Sequence, residues 1–121
     1  MSRATLDSNN LHATIADQVN TYHKDTLDEI ERALDAHDIV IVGMSQNPFV
    51  KRARKALTGA GKSFEYLEYG SYFGEWRRRL SIKMWSGWPT FPMVFIKGKL
   101  IGGAEETEKM IAEGKLDELL K

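Results

Sequence analysis

The sequence predicts an α/β domain over residues 25–121, a four-stranded mixed sheet flanked by helices, preceded by an N-terminal helical extension over residues 1–24. Three observations carry this. The run Ile39-Val-Ile-Val42 is continuously apolar and β-branched, as a strand buried on both faces of a sheet must be. Asn47-Pro48 follows it at once, and Asn is among the best helix N-caps while Pro suits the first helical position. Met93-Val-Phe-Ile96, then Gly98-Lys99, then Leu100-Ile101 reads as two antiparallel strands joined by a tight turn.

Taken in order, Leu11, Ile15 and Val19 recur every four positions, the one-faced stripe of a short amphipathic helix. A second helix starts near Asp25 or Thr26, either of which can cap it, and buries Leu27, Ile30 and Leu34. After the first strand, the helix opened by Asn47-Pro48 presents Phe49, Ala53, Ala56 and Leu57 to the core and ends at Thr58-Gly-Ala-Gly61. Phe64 to Tyr69 alternates as a second strand. Phe73 to Trp85 is helical again, with Trp76, Leu80 and Met84 read as inward and Arg77, Arg78 and Lys83 as outward; Gly87 and Pro89 stop it. The proline of Phe91-Pro92, directly before a strand, marks a fixed turn that suits a cis bond. Gly102-Gly103 opens a last helical region carried by Met110, Ile111, Leu116, Leu119 and Leu120.

Composition narrows the function classes. The chain of 121 residues has room for one domain. Seventeen Lys and Arg balance seventeen Asp and Glu, so nucleic acid is not an expected partner, and Arg77-Arg-Arg79 reads as a solvated helix face. The longest apolar run, Ile39 to Met44, falls far short of the ~20 residues that span a bilayer, and the first residues lack a secretory core; no membrane partner and a cytoplasmic location are expected. His12, His23 and His37 have no metal-ligand spacing, so no metal site is expected. The chain contains no cysteine, which excludes disulfides, thiolate metal sites and a protein thiol nucleophile.

Chemistry can sit at three places: the junction Gly43-Met-Ser-Gln-Asn-Pro48, the segment Trp88-Pro-Thr-Phe-Pro92, and Gly102-Gly-Ala-Glu105. Two are strand-to-helix junctions, whose helix N-termini offer amides to an anion. Together they resemble the glutaredoxin family, a branch of the thioredoxin fold: N-P-F-V opens a helix, T-F-P precedes a strand, and K-G-K-L-I-G-G lies at a hairpin. The similarity runs from about Asp38 to the C-terminus. Its most specific part, Lys83 to Pro92 followed by Val94 to Gly103, is similar to the W-P-T-x-P and G-G signature of the monothiol class.

That resemblance places Asn47 on the family's nucleophilic cysteine and Val50 on its second position; Met44 replaces the lysine usually found shortly before the motif, and the longer loop of the monothiol class is absent. It implies no catalytic residue, no required cofactor and no iron–sulfur cluster, because thiolate chemistry and cluster ligation both need the missing cysteine. It also implies a groove for glutathione, or for a peptide or protein partner, since much of the family site is backbone. Phe91 before Pro92 would meet the cysteinyl part; Gly103, Ala104 and Glu105, the last where the family usually has Asp, would receive the γ-glutamyl end. Lys51, Lys83 or Arg79 would meet the glycine carboxylate, and Phe49 and Thr90 would line the groove. Loss of one charged contact costs about 1.5–3 kcal/mol. The expected function is a redox-inactive glutaredoxin-like protein with such a groove. Alternatives are a glutathione-dependent enzyme using Ser45 or Thr90 to activate the ligand thiol, a non-catalytic interaction module, and a thiol oxidoreductase whose cysteine at Asn47 or Val50 has been replaced.

Overall fold

The apolar run at residues 39–43 forms one of the two inner strands of the sheet in the computed structural model, which describes residues 24–71 and 74–121. The expected extension over residues 1–24 lies outside the described residues except for Lys24, as do Tyr72 and Phe73. The elements are α1 (Lys24–Ala36), β1 (Ile39–Gly43), α2 (Pro48–Gly59), β2 (Glu65–Glu68), α3 (Trp76–Ser86), β3 (Met93–Ile96), β4 (Lys99–Gly102), α4 (Ala104–Ala112) and α5 (Lys115–Leu120).

The sheet order is β2-β1-β3-β4. β1 runs parallel to β2, with Ile41 beside Tyr66, and antiparallel to β3, with Ile41 beside Val94. β4 pairs antiparallel with β3. All five residues of β1 are buried because helices cover both faces. Val40, Val42, Met93 and Phe95 face a cluster that includes Ile30 of α1 and Ile82 of α3. Ile39, Ile41, Val94 and Ile96 face the other way, onto Ala53 and Leu57 of α2, Ala104 of α4 and Leu116 of α5. This alternation is the period-two placement of strand side chains, and each fully buried aliphatic side chain contributes about 1.5–3 kcal/mol.

Four expectations are corrected. Asp25 and Thr26 lie inside α1, and Thr26, fully buried, accepts a hydrogen bond from Arg78 Nε at 2.8 Å in place of capping the helix. The apolar residues read as the inner face of α3 point outward: Trp76 is 57 % exposed, Leu80 39 % and Met84 57 %, whereas Arg79 is 7 % exposed and Ser81 and Ile82 are buried; Arg77 is exposed, as expected, and Arg78 and Lys83 are partly so. The cause is the loop between β2 and α3, whose carbonyls at Tyr69 and Gly74 accept hydrogen bonds from Arg79 Nη1. A buried guanidinium supplying donors to backbone carbonyls fixes the rotation of the helix, so Ile82 and Trp85 meet the core while Trp76, Leu80 and Met84 fall on the outer side. Phe49, read as core, is 54 % exposed. The last helical region is two helices, broken at Gly114, whose φ of 73° lies in the left-handed region that glycine enters at little cost.

Among the described residues no helix is long and apolar enough to cross a membrane.

Candidate functional site

The N-terminus of α2 is built by Asn47. Its backbone is extended, and its side-chain Oδ1 accepts the amide N–H of Phe49 at 2.9 Å and of Val50 at 3.1 Å. Pro48 stands at the first helical position, where an amide donor would have been left without a partner. Asn47 is itself buried, and the approach from β1 is fixed by the Ser45 amide donating to Gly70 O at 2.7 Å. Val50 packs in the core beside Gly43: a Cβ on that glycine would come within 2.9 Å of Val50 Cγ1, so the strand end requires glycine there.

Beside this junction the peptide bond Phe91-Pro92 is cis, as the sequence suggests, and both residues are buried. Lys83 Nζ lies 5.6 Å from the centroid of the Phe91 ring. Across from it, β4 ends in Gly102, with φ of 120°, and Gly103 caps α4. A Cβ on Gly103 would meet Pro92 O at 3.3 Å, so the two loops touch through backbone. The Gly103 amide donates to Glu106 Oε1 at 2.7 Å, and its carbonyl accepts from Thr107 Oγ1 at 2.9 Å.

These loops enclose a cleft of about 310 Å³ lined by Phe49, Arg52, Trp88, Thr90, Phe91 and Pro92 on one side and Gly103 to Glu106 on the other. The Ala104 and Glu105 amides belong to the first turn of α4, where a helix leaves its donors without internal acceptors. Arg52 is bound to Glu108 of α4 through Nε at 3.2 Å and through Nη2, which ties α2 to α4 along the edge of the cleft. Hydrogen bonding to Arg52 holds the Glu108 carboxyl below its ordinary value. The indole N–H of Trp88 is buried with no acceptor among the described residues. A larger cleft, about 620 Å³, lies at the other end of β1 between Ala36–Ile39 and Gly61–Phe64, and a strand's length separates it from Asn47.

The glutaredoxin family profile matches residues 39–101, from the first residue of β1 into β4. The chain belongs to the glutaredoxin family. It is 48 % identical over 107 residues to a glutaredoxin-like protein of Dictyostelium discoideum, covering 88 % of this chain and 87 % of that one. It is 31 % identical over 99 residues to glutaredoxin 4 of Buchnera aphidicola, covering 78 % of this chain and 90 % of that one. The crystal structure of a wheat glutaredoxin superposes with a TM-score of 0.67 at 30 % identity, covering 78 % of this chain and 90 % of the other.

Of the residues proposed from the sequence for a glutaredoxin groove, the cleft brings together Phe49, Thr90, Phe91, Pro92, Gly103, Ala104 and Glu105. Lys83 approaches it only through the Phe91 ring. Lys51 lies elsewhere, on a surface shared with Arg54, Lys55 and Thr58. Arg79 is turned into the fold and donates to the Tyr69 and Gly74 carbonyls, so its reading as a solvated or ligand-facing cation is corrected. Sequence reasoning missed Arg52 and Glu106, and flagged the segment that begins at Trp88 without giving that residue a place in the groove. Arg52 stands one helical turn after Phe49, and Glu106 stands at the third helical position after Gly103, the spacing of a capping box.

Proposed function

We propose that this chain is a redox-silent glutaredoxin that binds glutathione, or the extended backbone of a peptide with a free carboxylate, in the cleft between the cis-proline loop and the start of α4, in the cytoplasm. The observation that carries the reading is the cleft itself. The buried Phe91-Pro92 edge and the first turn of α4 at Ala104 and Glu105 line it from two elements, Phe49 and Arg52 of α2 line it from a third, and the residue that caps α2, Asn47, is an amide rather than a thiol. An amide is neither a nucleophile nor a leaving group towards a disulfide, and no cysteine elsewhere in the chain substitutes for it. The donor set likewise does not fit an iron–sulfur cluster, which needs thiolate ligands from the chain or a partner.

Backbone recognition survives the loss of the thiol because the contacts it uses are main-chain donors and acceptors held by the fold. Affinity is expected to be weak: Arg52 is engaged with Glu108, and the carboxylates of Glu105 and Glu106 stand at the same mouth. The test is titration with reduced glutathione and with an S-alkylated analogue, following the amide signals of Phe91, Gly103 and Ala104 by NMR. Saturable shifts for both ligands support the groove, while no shifts at about 10 mM, a level that reveals even millimolar binding, refute it. A coupled glutathione–disulfide reduction assay is expected to give no turnover above background.

A further inference from the structure

The outer face of α2 carries Lys51, Arg54, Lys55 and Thr58 at spacings of three and four, so they share one side of the helix. With Gly59 and Phe64 they line a cleft of about 430 Å³, separate from the groove at the start of the same helix. All three cations are exposed. Among the described residues no ion pair reaches Lys51, Arg54 or Lys55, whereas Lys24, Arg52, Lys62, Arg78 and Lys115 each have one.

Nothing in the fold calls for this arrangement. Like charges three and four residues apart weaken a helix, and α2 contains no carboxylate to offset them. A cation in the last turn would complement the helix dipole, yet the last turn of α2 holds none. Arg54 is moreover held in place: its guanidinium carbon lies 4.2 Å from the centroid of the Tyr66 ring, and the Tyr66 hydroxyl donates to Glu68 at 2.9 Å. A guanidinium stacked on a ring keeps its N–H donors free at its rim.

We propose that this cleft binds a diphosphate group. Three positive charges on one short stretch of helix match the charge that a diphosphate concentrates in one small group, whereas carboxylates bring one charge each and would have to be gathered from separate residues. Lys51 and Lys55 stand about 6 Å apart along the helix axis, a separation that two linked phosphates span. The Thr58 hydroxyl, one turn beyond Arg54, adds a neutral donor. Phe64 also lines the larger cleft between Ala36–Ile39 and Gly61–Phe64, so the organic body of a larger diphosphate has space beyond that ring.

Inorganic pyrophosphate titrated into the full chain at constant ionic strength, with the Arg54 side-chain N–H and the Thr58 amide followed by NMR, tests this. Saturable shifts are expected, with affinity about tenfold weaker in Arg54→Gln and in Lys55→Gln and unchanged in Arg77→Gln, which alters an exposed arginine of α3. ADP run in parallel separates two sources of the same group: added shifts at His37 and Ser63 assign an organic diphosphate, and the pyrophosphate pattern alone assigns the free anion. Shifts that rise without saturating up to about 10 mM overturn the proposal. Equal affinity in the wild-type chain and all three variants overturns it as well. So does a hexa-aspartate peptide that saturates the same signals at lower concentration than pyrophosphate, which assigns the cleft to an acidic protein segment.

Discussion

Asn47 Oδ1 accepts the amide N–H of Val50 at 3.1 Å, which ties together the two residues that the sequence resemblance sets on the family's nucleophile and second cysteine positions. The same oxygen takes the Phe49 amide at 2.9 Å. In a thiol enzyme, donors at a helix N-terminus stabilise an anion. Here the same donors are satisfied by a neutral side chain of the chain itself. The device that would lower the pKa of a thiol has become a helix cap.

Asn47→Cys is expected to produce a thiol of lowered pKa, because the Phe49 and Val50 donors stay in place when the cap leaves. Cysteines at helix N-termini fall from about 8.5 into a range of about 3.5–7.5. Thiolate absorbance followed against pH checks this, together with exchange of a glutathione mixed disulfide. A thiol titrating at its ordinary value would show that the donors are not directed at this position.

The cap also has a stability consequence. Asn47→Ala removes the acceptor from two amides and is expected to cost about 1 kcal/mol, within the usual range of about 0.5–2 for such caps, whereas Asn47→Asp keeps it. Urea unfolding of the two variants measures the difference, and equal losses would contradict the capping account.

How much of this was legible in the sequence depends on the range of the interaction. β1, the Asn47-Pro48 cap and the Gly103 junction are local, and their residue types signal them directly. The rotation of α3 was not legible, because apolar periodicity assigns Trp76, Leu80 and Met84 to the core. Nothing local shows that Arg79 meets the Tyr69 carbonyl ten residues earlier. Arg52 and Glu108 are fifty-six residues apart, so the pair that borders the cleft appears only once α2 and α4 are packed. Phe49 misled for the reason Trp76 did: apolar spacing along a helix marks a side chain that could be buried, and both are exposed.

Arg79→Met is expected to destabilise the fold by about 2 kcal/mol or more, since it leaves the Tyr69 and Gly74 carbonyls without their buried donor. Arg77→Glu, at an exposed position of the same helix, is expected to change stability by less than about 1 kcal/mol. Chemical denaturation of both variants decides between a structural and a solvated arginine at position 79.

The Arg52–Glu108 pair, with both side chains roughly half exposed, makes a small contribution with a definite pH dependence. The folded Glu108 carboxyl lies below its ordinary value of 4.5 because Arg52 hydrogen-bonds to its ionised form. Its contribution is therefore fully present above that ordinary value and is lost as pH falls through the lowered folded one. Arg52 stays charged throughout this window. The difference in melting temperature between the wild-type chain and Glu108→Gln is expected to narrow from about pH 7 to about pH 3. A difference that widens on acidification would reverse the assigned sign.

Glu106 poses a direct competition between folding and binding. Its carboxylate holds the Gly103 amide at 2.7 Å, next to Ala104 and Glu105, whose amides are proposed to receive a ligand carboxylate. Glu106→Ala gives up a charge-assisted hydrogen bond, at a cost of about 1.5–3 kcal/mol in stability. The same change releases the Gly103 donor and removes a like charge from the mouth of the cleft. Affinity for glutathione is therefore expected to rise, by about tenfold if the gain is about 1.4 kcal/mol. Calorimetric titration and thermal unfolding of one variant should move in opposite directions. If both fall together, Glu106 contacts the ligand itself, and the cap and the binding site are the same set of atoms.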